Sequence, residues 1–313
     1  MHLNIFASGM ESLDMTDTAE FASLRQSAAD LRIAHGEGFA YRSHNVVLRH
    51  HRFHYLEWGR EGTPPLVLLH GGHQSAHSWD LVSLALADRF HIFALDQRGH
   101  GDSEWARDKD YAMETMADDV YAFSQHLGLT NPIVMGHSMG GMITMTLLKN
   151  HPEVASAAVL VDVGPEISET GAATIRSFVE SAVEFDDLEK FVEQVRAYDP
   201  FRSREHIERT VRYNLLQRAD GNFVTKCDTQ IVGRRGALPR ISLDEASRFS
   251  CPVLIVRGER SNILEPAAAV RFAAALPNGQ LVTVPACGHN VHSQNTAGFL
   301  EAVTPFLEGE AQA

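Results

Sequence analysis

The chain has 313 residues, 44% hydrophobic and 21% charged, enough apolar side chain to bury a large core, which excludes disordered and fibrous architectures. Its 27 basic and 40 acidic residues leave a net charge of −13, which repels phosphate backbones and anionic bilayers, so neither nucleic acid nor a membrane surface is an expected partner. The cysteines Cys227, Cys251 and Cys287 form no CxxC pair, which argues against a disulfide framework or a thiolate zinc site.

Residues 1 to 43 are polar and acidic, with Phe21, Leu24, Ala28 and Leu31 at helical spacing. They read as an N-terminal extension that docks loosely on the body. The start carries no cationic segment and no later stretch reaches the ~18 apolar residues of a membrane span, so a cytoplasmic protein is expected. From residue 44 short β-rich runs alternate with helical segments: NVVLRH (45–50), RFHYLEW (52–58), PLVLLH (65–70), HIFALD (91–96), PIVMG (132–136) and AAVLVD (157–162). After a break come PVLIVRG (252–258) and QLVTVPA (280–286). Continuous apolar strands alternating with helices predict a parallel α/β sheet covered on both faces, with function at the carboxyl ends of the strands. Only His51 separates the first two runs, which predicts an antiparallel hairpin at one edge.

The break, residues 166–237, shows helical patterns (Phe178, Val179, Val183; Ile207, Val211, Leu215) and no strand of the same kind. It reads as a helical cap inserted in a core of residues 44–165 and 238–313. Its nine arginines, among them Arg196, Arg202, Arg204, Arg209, Arg212 and Arg218, suit carboxylate recognition, but thirteen Asp and Glu residues in the same stretch favour a salt-bridged surface.

Three motifs carry chemistry. His70-Gly71-Gly72-His73 follows the strand PLVLLH and offers the Gly72 N–H to a developing oxyanion; His73 is a candidate substrate contact. The histidines His70, His73 and His77 lack the spacing and interleaved carboxylate of a metal-binding helix, so no metal is expected. Asp96-Gln97-Arg98-Gly99-His100-Gly101-Asp102-Ser103 follows the strand HIFALD. Gly136-His137-Ser138-Met139-Gly140 sits between a strand and a helix, a turn tight enough to demand glycines and to hold the Ser138 hydroxyl above the sheet edge, with the Met139 N–H as the second oxyanion donor. His137 is a second candidate substrate contact.

With these motifs in this order, residues 44 to 308 resemble the α/β-hydrolase superfamily: a mostly parallel eight-stranded sheet with helices on both faces and a helical cap. In that superfamily the D-x-R-G segment is mainly structural, which makes Asp96 and Arg98 loop anchors. The resemblance places the general base on a loop after the last strand, where Gly288-His289 stands, with His292 the alternative one turn on. It also implies an aspartate in a G-x-x-D segment after the seventh strand, but here the segment is Gly258-Glu259-Arg260-Ser261. A serine cannot balance the imidazolium formed when His289 takes the Ser138 proton. Asp162, at the tip of the strand expected beside the nucleophile strand, is therefore the expected acid, Glu259 its rival and Ser261 an accessory hydrogen-bonding group.

The expected activity is hydrolysis of a small carboxylic ester, thioester or lactone through an acyl-enzyme, with no cofactor. A dedicated hydrolase of an amide or of a C–C bond next to a ketone, and a small-molecule receptor on the same fold, are the alternatives. A small molecule is the expected partner, and a homodimer is compatible with the cap or the N-terminal helix.

Overall fold

The computed structural model describes residues 18–181, 183–233 and 241–312. Residues 1–17 of the extension and the expected boundary at 237/238 lie outside that description. Helix α1 (Ala19–Asp30) precedes the hairpin of β1 (Arg42–Leu48) and β2 (His51–Trp58). Then come β3 (Pro65–Leu69), α2 (Asp80–Leu86), β4 (His91–Leu95), α3 (Met113–His126), β5 (Ile133–His137), α4 (Met139–Asn150) and β6 (Ala157–Val161). An insert follows, with α5 (Glu169–Ser181), β7 (Glu184–Phe185), α6 (Leu188–Tyr198), α7 (Arg204–Val211), β8 (Leu215–Gln217), β9 (Phe223–Thr225) and α8 (Gln230–Gly233). The chain returns through α9 (Leu243–Ala246), β10 (Val253–Gly258), α10 (Pro266–Ala275), β11 (Gly279–Val284), α11 (Val291–Gln294) and α12 (Thr296–Glu310).

Eight strands form one sheet in the order β1-β2-β4-β3-β5-β6-β10-β11. The β1/β2 hairpin lies at one edge and is antiparallel, β2 also runs antiparallel to β4, and every later pairing is parallel. All eight strands fall on the β-rich runs of the sequence. Those runs are apolar without alternation because both faces are covered: Leu66 and Leu68 of β3 enter a core with α1, α2 and α12, while Val67 and Leu69 enter another with α3, α4 and α10. Among the described residues no helix is long and apolar enough to cross a membrane.

Two expectations need correction. The N-terminal helix is not loosely docked, because Phe21, Leu24 and Ala28 are buried in the main core beside Trp58; Leu31, at 37% exposure, lies past the helix end. Glu20 of α1 also accepts hydrogen bonds from Tyr41 in the body and from Tyr213 in the insert. The insert is not purely helical: β7, β9 and β8 make a small antiparallel sheet. These strands are only two or three residues long, too short to show a period of two in the sequence. The insert has its own small core of Phe185, Phe191, Val192, Val195, Ile207, Val211 and Leu215.

Candidate active site

Ser138 sits between β5 and α4 at φ 51° and ψ −111°, a strained backbone for any residue with a Cβ. The turn is tight enough that a Cβ on Gly136 would lie 2.3 Å from the Gly140 carbonyl oxygen, and one on Gly140 would lie 2.3 Å from that of Leu69. The Ser138 N–H donates to the Val161 carbonyl at 3.0 Å, so the turn is also pinned to the neighbouring strand. This holds the hydroxyl at the carboxyl edge of the sheet.

The loop after β11 delivers His289, whose Nε2 lies 2.9 Å from Ser138 Oγ and whose Nδ1 lies 2.8 Å from Asp162 Oδ2. Asp162 follows β6, which pairs with β5 as expected, and its side chain is completely buried. It is a hub: its Oδ1 accepts from the Gly258 N–H at 3.2 Å, and its Oδ2 accepts from both Ser261 Oγ and His289. Ser261 thus reaches the acid, not the histidine, while its Oγ accepts from the Ile263 N–H at 3.1 Å. Glu259 is exposed and accepts from the Ala286 N–H, away from His289. His292 is buried, stacked on Trp79 with ring centroids 4.2 Å apart. Chemically, a carboxylate that accepts from Nδ1–H leaves the Nε2 lone pair facing the serine hydroxyl, ready to take its proton.

Gly72 and Met139 are neighbours, since a Cβ on Gly72 would sit 3.9 Å from Met139 Sδ. Among the described residues neither backbone N–H has a hydrogen-bond partner, the condition for both to serve an oxyanion. The adjacent Gly71 N–H is already taken by Gln74 Oε1 at 3.0 Å.

The two candidate substrate contacts differ. His73 is half-buried with φ 62°, its Nε2 has no hydrogen-bond partner, and burial lowers its pKa to about 4, so it stays neutral. His137, next to Ser138 in sequence, is buried with its Nε2 3.0 Å from the His289 carbonyl oxygen and its Nδ1 3.3 Å from Gln74 Oε1, a different place from the substrate contact expected for it. Burial first, then the neighbouring His292 and His289, hold His137 well below its ordinary pKa. It therefore has one ring proton, and donation from Nε2–H props the His289 loop. Sequence alone hides this because only the fold brings residues 137 and 289 together.

The D-x-R-G segment anchors loops. Asp96 accepts from His54 Nδ1 and from the Ala76 and Asp102 N–H groups, and Arg98 forks onto the buried Asp119. Burial alone would raise the Asp96 carboxyl, but the His54 hydrogen bond and charge outweigh it and hold the pKa at about 2. Among the described residues the set spaced to hold a metal ion is His54, Asp96 and Asp102, and its members already bond one another, the Asp102 backbone and Lys226. His70 and His77 turn elsewhere, His70 to the Gly71 carbonyl and the Gln97 N–H, His77 to Asp80.

The histidines have a measurable consequence. His70, His73, His100, His137, His206 and His292 are all pushed below the ordinary value of 6.5, chiefly by burial, His292 to about 3. As pH falls below 6.5 the unfolded chain takes up protons that the native state refuses. Stability is therefore complete above about 6.5 and is lost towards the lowered native values, at about 1.4 kcal/mol per histidine per pH unit. Asp96 works in a lower window, its contribution fading only from pH 3.8 towards 2. Urea midpoints should fall steeply between pH 6.5 and 5; a flat profile there would contradict the buried, neutral state of these rings.

Residues 64–296 match a family model described as alpha/beta hydrolase fold. The sn-1-specific diacylglycerol lipase ABHD11 of Mus musculus is 30% identical over 253 residues, 78% of this chain and 81% of that protein. Esterase Rv0045c of Mycobacterium tuberculosis is 27% identical, over 81% and 85% of the two chains, and its crystal structure superposes with a TM-score of 0.74 at 24% identity, covering 94% and 99%. The 2-(acetamidomethylene)succinate hydrolase of Mesorhizobium japonicum is 28% identical, over 79% and 90%.

Proposed function

The chain belongs to the alpha/beta hydrolase fold family and is a hydrolase, and from that premise we propose that it cleaves a neutral, small-molecule carboxylic ester through an acyl-enzyme on Ser138. The supporting observation is the continuous Ser138–His289–Asp162 hydrogen-bond chain beside two free N–H groups. His289 Nε2 takes the hydroxyl proton as Ser138 Oγ attacks the carbonyl carbon, and the oxyanion forms against the Gly72 and Met139 N–H groups. Collapse of the tetrahedral intermediate expels the alcohol, which takes the proton from His289. Water, deprotonated by the same nitrogen, then attacks the acyl-enzyme and releases the acid.

A neutral substrate fits the insert, which serves as the cap. Arg196, Arg204 and Arg218 are held by surface carboxylates, Arg202 by Asp199, and Arg209 by the buried Asp80. Each of these five guanidinium groups already holds a carboxylate, with Arg209 Nε the donor left without a partner among the described residues, so they offer a carboxylate ligand little. A second reading, amide hydrolysis, is supported by the similarity to the 2-(acetamidomethylene)succinate hydrolase.

The test is a panel of p-nitrophenyl esters of increasing acyl length run beside N-acylated enamine dicarboxylates. Saturable ester turnover, blocked by a fluorophosphonate that labels Ser138, is the expected result. Faster turnover of the dicarboxylate amide than of every ester would replace the ester reading by the amide one. Neither turnover nor labelling would favour a receptor.

A further inference from the structure

We propose that Asp199, at the end of α6 in the insert, is a positioning residue that couples the seating of the insert to the placement of His289 and of the oxyanion loop. The inference rests on the serine-hydrolase reading above and concerns how that site is assembled.

The Asp199 side chain is fully buried, a costly place for a carboxylate unless donors surround it. Arg202 supplies one from within the insert, with Nε 2.8 Å from Oδ2. The other two come from the segment that follows His289: Gln294 Nε2 donates to Oδ1 at 2.8 Å and Asn290 Nδ2 approaches Oδ2 at 3.4 Å. Two of its three side-chain donors thus come from outside the insert, from the segment that carries His289.

Both amides lead onward to the candidate catalytic groups. Gln294 Oε1 accepts from the Gly288 N–H at 2.6 Å, so one side chain spans from Asp199 to the backbone beside His289. Asn290 Oδ1 accepts from Gln74 Nε2 at 3.2 Å, and Gln74 Oε1 accepts from the Gly71 N–H, next to the oxyanion donor Gly72. Along this path each amide oxygen accepts from an N–H and each NH2 donates to an oxygen, and Gln74 Oε1 also lies 3.3 Å from His137 Nδ1. Withdrawing the insert would remove the acceptor that Gln294 and Asn290 share, and with it the restraint on both loops. A misplacement of about 1 Å at reacting groups is enough to cost about a hundredfold in rate.

The full chain carrying Asp199→Ala, Gln294→Met, or both, tests the coupling with a neutral p-nitrophenyl ester. Each single change should lower kcat and the rate of fluorophosphonate labelling of Ser138 by about 10- to 100-fold, with KM within about threefold. The double variant should be no worse than the poorer single one, because both act along one path. Arg204→Ala, which removes exposed ion pairs in the same insert, should leave kcat unchanged. If Asp199→Ala fails to fold, Gln294→Met still decides, since it spares the Asp199–Arg202 pair. Unchanged kcat in Gln294→Met, or effects that multiply in the double variant, would overturn the coupling while wild type remains active. A wild type that neither turns over ester nor becomes labelled would overturn the hydrolase reading, and this inference with it.

Discussion

Ser138→Ala should lower kcat for ester hydrolysis by about 10⁵- to 10⁶-fold, because it removes the attacking atom and leaves only binding and the two oxyanion donors to assist water. The fold should survive, and Ser138→Gly should be the more stable of the two inactive variants. Serine and alanine both carry a Cβ at φ 51° and ψ −111°, strain worth about 1–3 kcal/mol, whereas glycine has none. Glycine gives back about 0.4–1 kcal/mol through the greater freedom of the unfolded chain. The difference, about 1 kcal/mol, should raise the Tm of Ser138→Gly above that of Ser138→Ala by about 2–3 °C. Residual turnover above about 1% in Ser138→Ala would move the nucleophile elsewhere. Equal Tm values would mean that the elbow is not strained.

The strands and the nucleophile turn were legible because their causes are local: apolar runs buried on both faces, and glycines where backbone meets backbone at Gly136 and Gly140. Asp162 became a candidate acid through the resemblance, which implies an aspartate where Ser261 stands, and through the expected pairing of β6 beside β5, while Glu259 stayed a rival until the structure placed its side chain away from His289. What was not legible depends on distant contacts. Nothing near Asp199 or Gln294 in sequence says that they meet across 95 residues, and the role of His137 emerges only with its bond to a carbonyl 152 residues away. The weak stripe of α1 marked Phe21 and Leu24 as a docking face but not as residues of the main core. In the insert, apolar periodicity over α7 was readable, but strands of two or three residues were not.

Asp162→Asn should cost about 10³- to 10⁴-fold in kcat with little change in KM, and the reason lies in the donors that converge on it. Gly258 N–H, Ser261 Oγ and His289 Nδ1 all point hydrogens at the carboxylate, whose two oxygens can accept them all. Asparagine has one acceptor oxygen. If its NH2 faces His289, the ring must turn its Nδ1 lone pair to it and present Nε2–H to Ser138, the tautomer that cannot take a proton. If its NH2 faces Gly258 instead, the tautomer is kept but a neutral amide no longer balances the imidazolium. Backbone strain is not the cause of the loss, since asparagine tolerates the φ of 51° at this position. Ser261→Ala removes one donor of the three and should cost about 10- to 100-fold, the worth of one charge-assisted hydrogen bond. Glu259→Gln should stay within about twofold of wild type, since that side chain is exposed and bonds the Ala286 N–H. The order of the three variants, measured as kcat on one ester, identifies the acid: a Glu259→Gln slower than Asp162→Asn would reverse the assignment.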